Sequence, residues 1–328
     1  MNTPIDKRFI LHIGLSKTAT TTLQELVFAR HPQVYYLGKY LDKPDLNQSR
    51  GPVAHEFLTP LLWNHHTPQS TDHAHRSLEC LRQDPESTRP VWLASWEELG
   101  NRPLQINLET LRRFKQLMGD FRLLICLRNP LDRIPSEYLQ SLRYQYLEFC
   151  KQPLKTRNLL YPSYFTLERW LSRHHATGYL SILLNASELI REACKLIGRE
   201  NVGVSLFEDF RQRPSEFFQS MFRFMEIAPG DMANRFDKHQ RRLNTRLTVG
   251  QLDYLRKLRR LSWRKIRLIG VNRDRRKHAF HEAGKDNIPA TIALCPTWRK
   301  TIMDETKAGN RWIADTFDLP LETYGYPL

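Results

Sequence analysis

Apolar residues fall into short runs separated by longer stretches in which they recur at helical spacing. The run Arg8-Phe9-Ile10-Leu11-His12-Ile13 ends at Gly14, a pattern that predicts a buried parallel strand entering a tight turn. From Thr20 the period changes, with Leu23, Leu26 and Val27 on one helical face. Val91–Ser95, Phe121–Leu127 and Val202–Phe207 read as three further strands. Helices are expected over Leu104–Met118, from Pro130 towards Leu147, over Ser187–Ile197 and over Pro214–Met225, Pro130 suiting a first helical turn. Strands that alternate with helices predict a parallel sheet covered on both faces.

Residues 39–90 break this rhythm. Prolines are frequent there, strand signal is weak, and His55, His65, His66, His73 and His75 follow no period. The segment reads as loops and short helices over one face, a lid. After Ala228 the chain is helical and basic. With no internal repeat and no low-complexity linker, one domain is the simplest parse.

Composition narrows the class. The 328 residues are 41% hydrophobic and 26% charged, which excludes disordered, collagen-like and multi-span membrane chains. Five scattered cysteines without a C-x-x-C pair argue against a disulfide framework or a zinc site and for a reducing compartment. No apolar run is long enough for a signal segment or a span, so a cytoplasmic protein is expected. Fifty Lys and Arg against 35 Asp and Glu leave a formal charge of +15. Such an excess calls for an anionic partner.

The segment joining the first strand to the first helix is Gly14-Leu15-Ser16-Lys17-Thr18-Ala19-Thr20-Thr21-Thr22-Leu23. A loop in this place aims backbone N–H groups and the positive end of a helix dipole at an anion. Lys17 adds a cation and Thr20, Thr21 and Thr22 add hydroxyl donors, a combination suited to phosphate oxygens. The plainer reading is a threonine-capped helix with a surface lysine. A nucleoside-triphosphate loop, G-x-x-x-x-G-K-[ST], is a poor match, because Lys17 comes too early.

A second motif is Arg128-Asn129-Pro130-Leu131-Asp132-Arg133-Ile134-Pro135-Ser136-Glu137-Tyr138. An arginine closing a strand and a serine eight residues on, in the next helix, can converge on one anion at the sheet's C-terminal edge. Arg133 reads either as a third anion ligand or as the structural partner of a carboxylate. The third motif, Val202 to Phe210, contains Glu208-Asp209. Adjacent strand residues point to opposite faces, which makes a shared acid/base site poor geometry and fold-stabilising caps the better reading.

These segments resemble, in order, three motifs of sulfotransferases that use 3′-phosphoadenosine-5′-phosphosulfate (PAPS). The first is similar to the 5′-phosphosulfate loop P-K-[ST]-G-T-T-x-L, with Ser16 in place of proline and Ala19 in place of glycine. The second is similar to the 3′-phosphate motif R-[DN]-P-x-x-R-x-x-S-x-Y, and the third to v-x-v-x-x-[YF]-E-D-[LF]. The resemblance spans about residues 8 to 230. It implies an α/β fold of the P-loop NTPase-like kind, a parallel sheet flanked by helices. On that parse 8–38 and 91–230 form the nucleotide-binding core, 39–90 a lid and acceptor region, and 231–328 a basic helical part. It further implies PAPS as co-substrate with no metal required. Ser16, Lys17, Thr18, Ala19, Thr20, Thr21 and Thr22 would hold the 5′ end, and Arg128 and Ser136 the 3′-phosphate.

Sulfuryl transfer depends on alignment and charge stabilisation, which the resemblance assigns to Lys17, and on a general base for the acceptor. Glu97, just after the second of these strands, is the first choice. Glu98 competes because a one-residue slip exchanges which carboxylate faces the cleft, and His55, His65 or His66 would serve if the lid closes. The acceptor, a small molecule or carbohydrate, is not specified. Between 251 and 280 eleven Lys and Arg stand against two Asp, a stripe that fits an anionic acceptor or an acidic membrane surface better than nucleic acid. Leu252, Leu255, Leu258 and Leu261 would supply an apolar face beside it, either for such a surface or, on the plainer reading, for packing a helix into the core with its basic face solvated. An anionic-polymer or membrane-surface binder and a P-loop kinase are the alternatives to a transferase.

Overall fold

The computed structural model describes residues 7–38, 51–62, 68–151, 166–229, 247–260 and 273–328. Five parallel strands, β1 (Arg8–Gly14), β2 (Val34–Gly38), β3 (Val91–Ser95), β4 (Phe121–Leu127) and β5 (Val202–Leu206), form one sheet in the order β2-β3-β1-β4-β5. The near-continuous apolar composition of the inner strands requires cover on both faces, and six of the seven β1 residues are buried. Phe9, Leu11 and Ile13 face one core with Phe114, Trp92 and Ile190. Ile10 faces the other, with Val27, Phe28, Phe218 and Phe222.

The chain divides into two compact units. The first comprises Met1–Asn129, Ser181–Leu243 and Glu305–Leu328 and holds the whole sheet; the second comprises Pro130–Leu180 and Asn244–Asp304. In the second, the long helix Pro130–Lys151 packs on Leu167–Ala176 and on Arg273–Glu282. Tyr146, 1% exposed, stacks there at 4.7 Å from Phe280 and edge-on to Tyr254 at 5.8 Å.

Two expectations need correction. Val34–Gly38 is an additional edge strand, buried throughout. The stretch read as loops and short helices contains two substantial helices, Gly51–Leu62 and Pro68–Gln83. Phe57, Leu58, Leu61, Leu78 and Leu81 from these helices lie inside the first core, each large apolar side chain contributing about 1.5–3 kcal/mol. This layer is part of the core that supports the sheet. Among the described residues no helix is long and apolar enough to cross a membrane.

Candidate functional site

At the C-terminal end of β1, Gly14 passes so close to Thr20 that a Cβ would run into its side chain. The chain then turns through Lys17 (φ 70°) and Ala19 (φ 62°), both left-handed. Left-handed residues in such a turn let successive N–H groups converge on an anion, at a cost of about 1–2 kcal/mol each for non-glycine residues. Ala19, at φ 62° and ψ 19°, occupies the left-handed region that glycine favours but an alanine can still enter. The Thr18 hydroxyl donates to the Leu15 carbonyl at 2.6 Å. It therefore holds the loop together from within.

A helical turn, Thr20–Thr22, follows and widens into a π-helical segment, Leu23–Phe28. Ala19 stands at its N-cap, no side chain caps it, and no acid occupies the first turn. The plainer reading of a threonine-capped helix thus fails. Ser16 is 3% exposed and its hydroxyl has no hydrogen-bond partner among the described residues. A buried polar group left unmade costs about 1–3 kcal/mol. Such an orphan at an anion-shaped loop is what a missing ligand oxygen would leave.

Arg128 arrives from the end of β4, which pairs with β1 from Phe9↔Phe121 to Gly14↔Cys126. Its Nη1 donates to the Lys17 carbonyl at 3.1 Å, and its guanidinium lies 4.7 Å from the centre of the Phe207 ring. Cys126 contributes a thiol that donates to the Thr18 carbonyl at 3.6 Å, and burial pushes that thiol's pKa well up. Arg128 and the loop, more than a hundred residues apart in the sequence, therefore meet in the first unit.

Glu97 opens a 3₁₀ turn, Glu97–Asn101, directly after β3. Trp96 N–H donates to the His12 carbonyl at 2.9 Å, and the Trp96 ring, 1% exposed, anchors the turn in the core. Gly100 lies against Leu15 of the loop, where an added Cβ would approach the leucine side chain to 2.5 Å. The half-buried Glu97 is thus carried on a turn packed against the anion loop. The Glu98 side chain, His65 and His66 lie outside the described residues, and His55 sits half-buried on the Gly51–Leu62 helix.

Ser136 is half-buried on the Pro130–Lys151 helix, which belongs to the second unit. In that unit Arg133 is 2% exposed, and the Tyr179 hydroxyl feels both it and Glu137: burial and the carboxylate raise the Tyr179 pKa while Arg133 lowers it. The structural reading of Arg133 fits this setting. Leu252, Leu255 and Leu258 are buried in the second unit. Their apolar face is taken up by packing, as the reading of a core-packed helix with a solvated basic face has it; Leu261 lies outside the described residues. Arg256, Lys257, Arg275 and Lys277 are exposed.

Glu208 and Asp209 do not stand on a strand. β5 ends at Leu206, and both acids occupy the first turn of a short helix, Phe207–Gln212. Glu208 accepts from the Asn129 N–H at 2.9 Å, while Asp209 pairs with Arg213 at 2.6 Å. They are separate stabilising groups.

Sequence reasoning missed one buried network. His12 is fully buried on β1, its Nδ1 2.8 Å from Ser95 Oγ, which also accepts from Gln24 Nε2 at 2.8 Å. Three elements that frame the loop are thereby tied together. Burial lowers the His12 pKa to about 3, so the imidazole is neutral. A lone histidine inside an otherwise apolar strand was the available signal.

No family model and no curated protein matches the chain. Solved structures similar to it include sulfotransferases. One from Alicyclobacillus acidocaldarius is 18% identical over 70% of this chain and 83% of its own, with a TM-score of 0.44. One from Mycobacterium avium is 12% identical over 89% of this chain and 79% of its own, with a TM-score of 0.46. The sulfotransferase domain from the curacin biosynthetic pathway is 9% identical over 70% and 77%, with a TM-score of 0.42.

Proposed function

We propose that this chain is a sulfotransferase that moves the sulfuryl group of PAPS to a hydroxyl or amine of a small-molecule or carbohydrate acceptor. The observation that carries the reading is the hydrogen bond from Arg128 to the Lys17 carbonyl, 3.1 Å long, beside the unpartnered Ser16 hydroxyl. It brings the Arg128 guanidinium to the backbone of the loop that carries Lys17, which supports a reading with one cation for each end of a doubly phosphorylated nucleotide. Ser16 to Thr22 would receive the 5′-phosphosulfate, and Arg128 the 3′-phosphate.

In the reaction the acceptor oxygen or nitrogen forms a bond to sulfur as the bond from sulfur to the 5′-phosphate oxygen breaks. The products are the sulfated acceptor and adenosine 3′,5′-bisphosphate. Lys17 and the loop N–H groups stabilise charge gathering on the departing phosphate, and Glu97 takes the acceptor proton. Alignment supplies much of the rate, as it does in phosphoryl transfer.

The test is a mass-shift transfer assay with PAPS over grouped acceptors. Lys17→Ala should lose turnover, by about a hundredfold or more if the lysine stabilises the leaving group. Glu97→Gln should abolish transfer while leaving affinity for the bisphosphate product intact; near-normal turnover would remove Glu97 as the base. If magnesium-dependent ATP turnover appears in place of sulfuryl transfer, the reading gives way to a kinase.

A further inference from the structure

Asn129 follows Arg128 and is 5% exposed, so its polar groups must find partners inside the protein. Two of its hydrogen bonds lead to distant segments. Its backbone N–H donates to Glu208 Oε1 at 2.9 Å, and its side-chain Nδ2 donates to the Tyr324 carbonyl at 2.9 Å. Glu208 is itself held from the other oxygen, where the Tyr326 hydroxyl donates at 2.9 Å. The Tyr324 hydroxyl donates to Asp209, and Arg213 Nη2 donates to that hydroxyl at 2.7 Å. Gly325 between the two tyrosines is left-handed at φ 65°, which turns both rings towards the same helix.

We propose that the Tyr324-Gly325-Tyr326 segment is a latch that fixes the Arg128–Asn129 turn and so sets selectivity for the 3′-phosphate of the nucleotide. The inference rests on the reading of Arg128 given above. Its logic is geometric. A guanidinium at a strand end discriminates a phosphate only if its backbone is held, because a bidentate or charge-assisted bond loses its advantage when the donor wanders. The turn after Arg128 has no regular structure of its own, and both hydrogen-bonding groups of Asn129 named above are satisfied by the latch or by Glu208, which the latch holds. None of these groups touches the nucleotide in this scheme, so they are positioning residues.

The experiment is calorimetric titration of the full chain with adenosine 3′,5′-bisphosphate and with adenosine 5′-monophosphate, in wild type and Tyr326→Phe. Wild type should prefer the bisphosphate. In Tyr326→Phe that preference should shrink about tenfold, with affinity for the monophosphate unchanged. Glu208→Gln, whose amide oxygen still accepts from Asn129 N–H, should keep the preference, and Glu208→Ala should lose it. Should Tyr326→Phe not fold, Tyr324→Phe, which removes only the hydroxyl bonded to Asp209 and Arg213, is read in its place. A preference that survives in the tyrosine variant, or an equal loss for both nucleotides, overturns the latch. A wild type that binds both nucleotides equally overturns the Arg128 assignment itself.

Discussion

At the scale of single residues, Ser16 is the position that tests the proposed ligand site. Its buried hydroxyl finds no partner among the described residues, so Ser16→Ala should leave the free protein equally stable or up to about 1 kcal/mol more stable. The same change should weaken PAPS binding, and thermal unfolding with and without nucleotide would show the two effects moving in opposite directions. Lys17, Arg128 and Ser16 were legible in the sequence because each belongs to a short motif whose spacing is local. His12, Ser95 and Gln24 were not. Their network joins residues 83 and 71 positions apart, and neither a serine closing a strand nor a glutamine within a helix carries a signal alone.

Elements were legible where period and length agreed. β1, β3, β4 and the Leu104–Met118 and Pro214–Met225 helices lie where the apolar pattern places them. The 39–90 region misled because proline was taken as a breaker. Pro52 sits in the first turn of its helix and Pro68 at the first position of the next, where the missing N–H costs nothing, while Pro60 stands inside the first helix, two residues before its end. Glycine spacing also hid a contact between elements. Gly100 lets the Glu97 turn rest on Leu15, so Gly100→Ala should force the two apart. Overpacking of this kind costs about 1–3 kcal/mol, measurable by urea unfolding, and turnover should fall with it because the turn carries the proposed base.

For the molecule as a whole, charge and acidity act together. The excess of +15 favours anionic ligands in general through long-range attraction, and Arg256, Lys257, Arg275 and Lys277 are exposed members of it. Stability should depend on pH through His12. Its pKa falls from 6.5 to about 3 on folding, so below 6.5 the unfolded chain binds a proton that the folded one refuses. Stability present above pH 6.5 is therefore lost as pH falls towards 3, at roughly 1.4 kcal/mol per pH unit. Between pH 7 and pH 5 His12→Asn should remove roughly 2 kcal/mol of that loss in denaturant titrations. Glu208 has the opposite sign: burial raises its pKa, so its contribution is fully present at low pH and declines as pH rises through the raised value.

The position of β1 at the centre of the sheet also governs the order in which the protein is made. β1 lies between β3 and β4, so Phe9 meets Trp92 on one side and Phe121 on the other. A ribosome releases β1 first and supplies its second neighbour only after Leu127 has emerged. Until then the strand Phe9-Ile10-Leu11-His12-Ile13 exposes an apolar surface with unpaired edges, the state in which nascent chains aggregate or recruit chaperones. Non-local parallel pairing is also slow. The loop that follows β1 thus emerges before both strands that fix its shape.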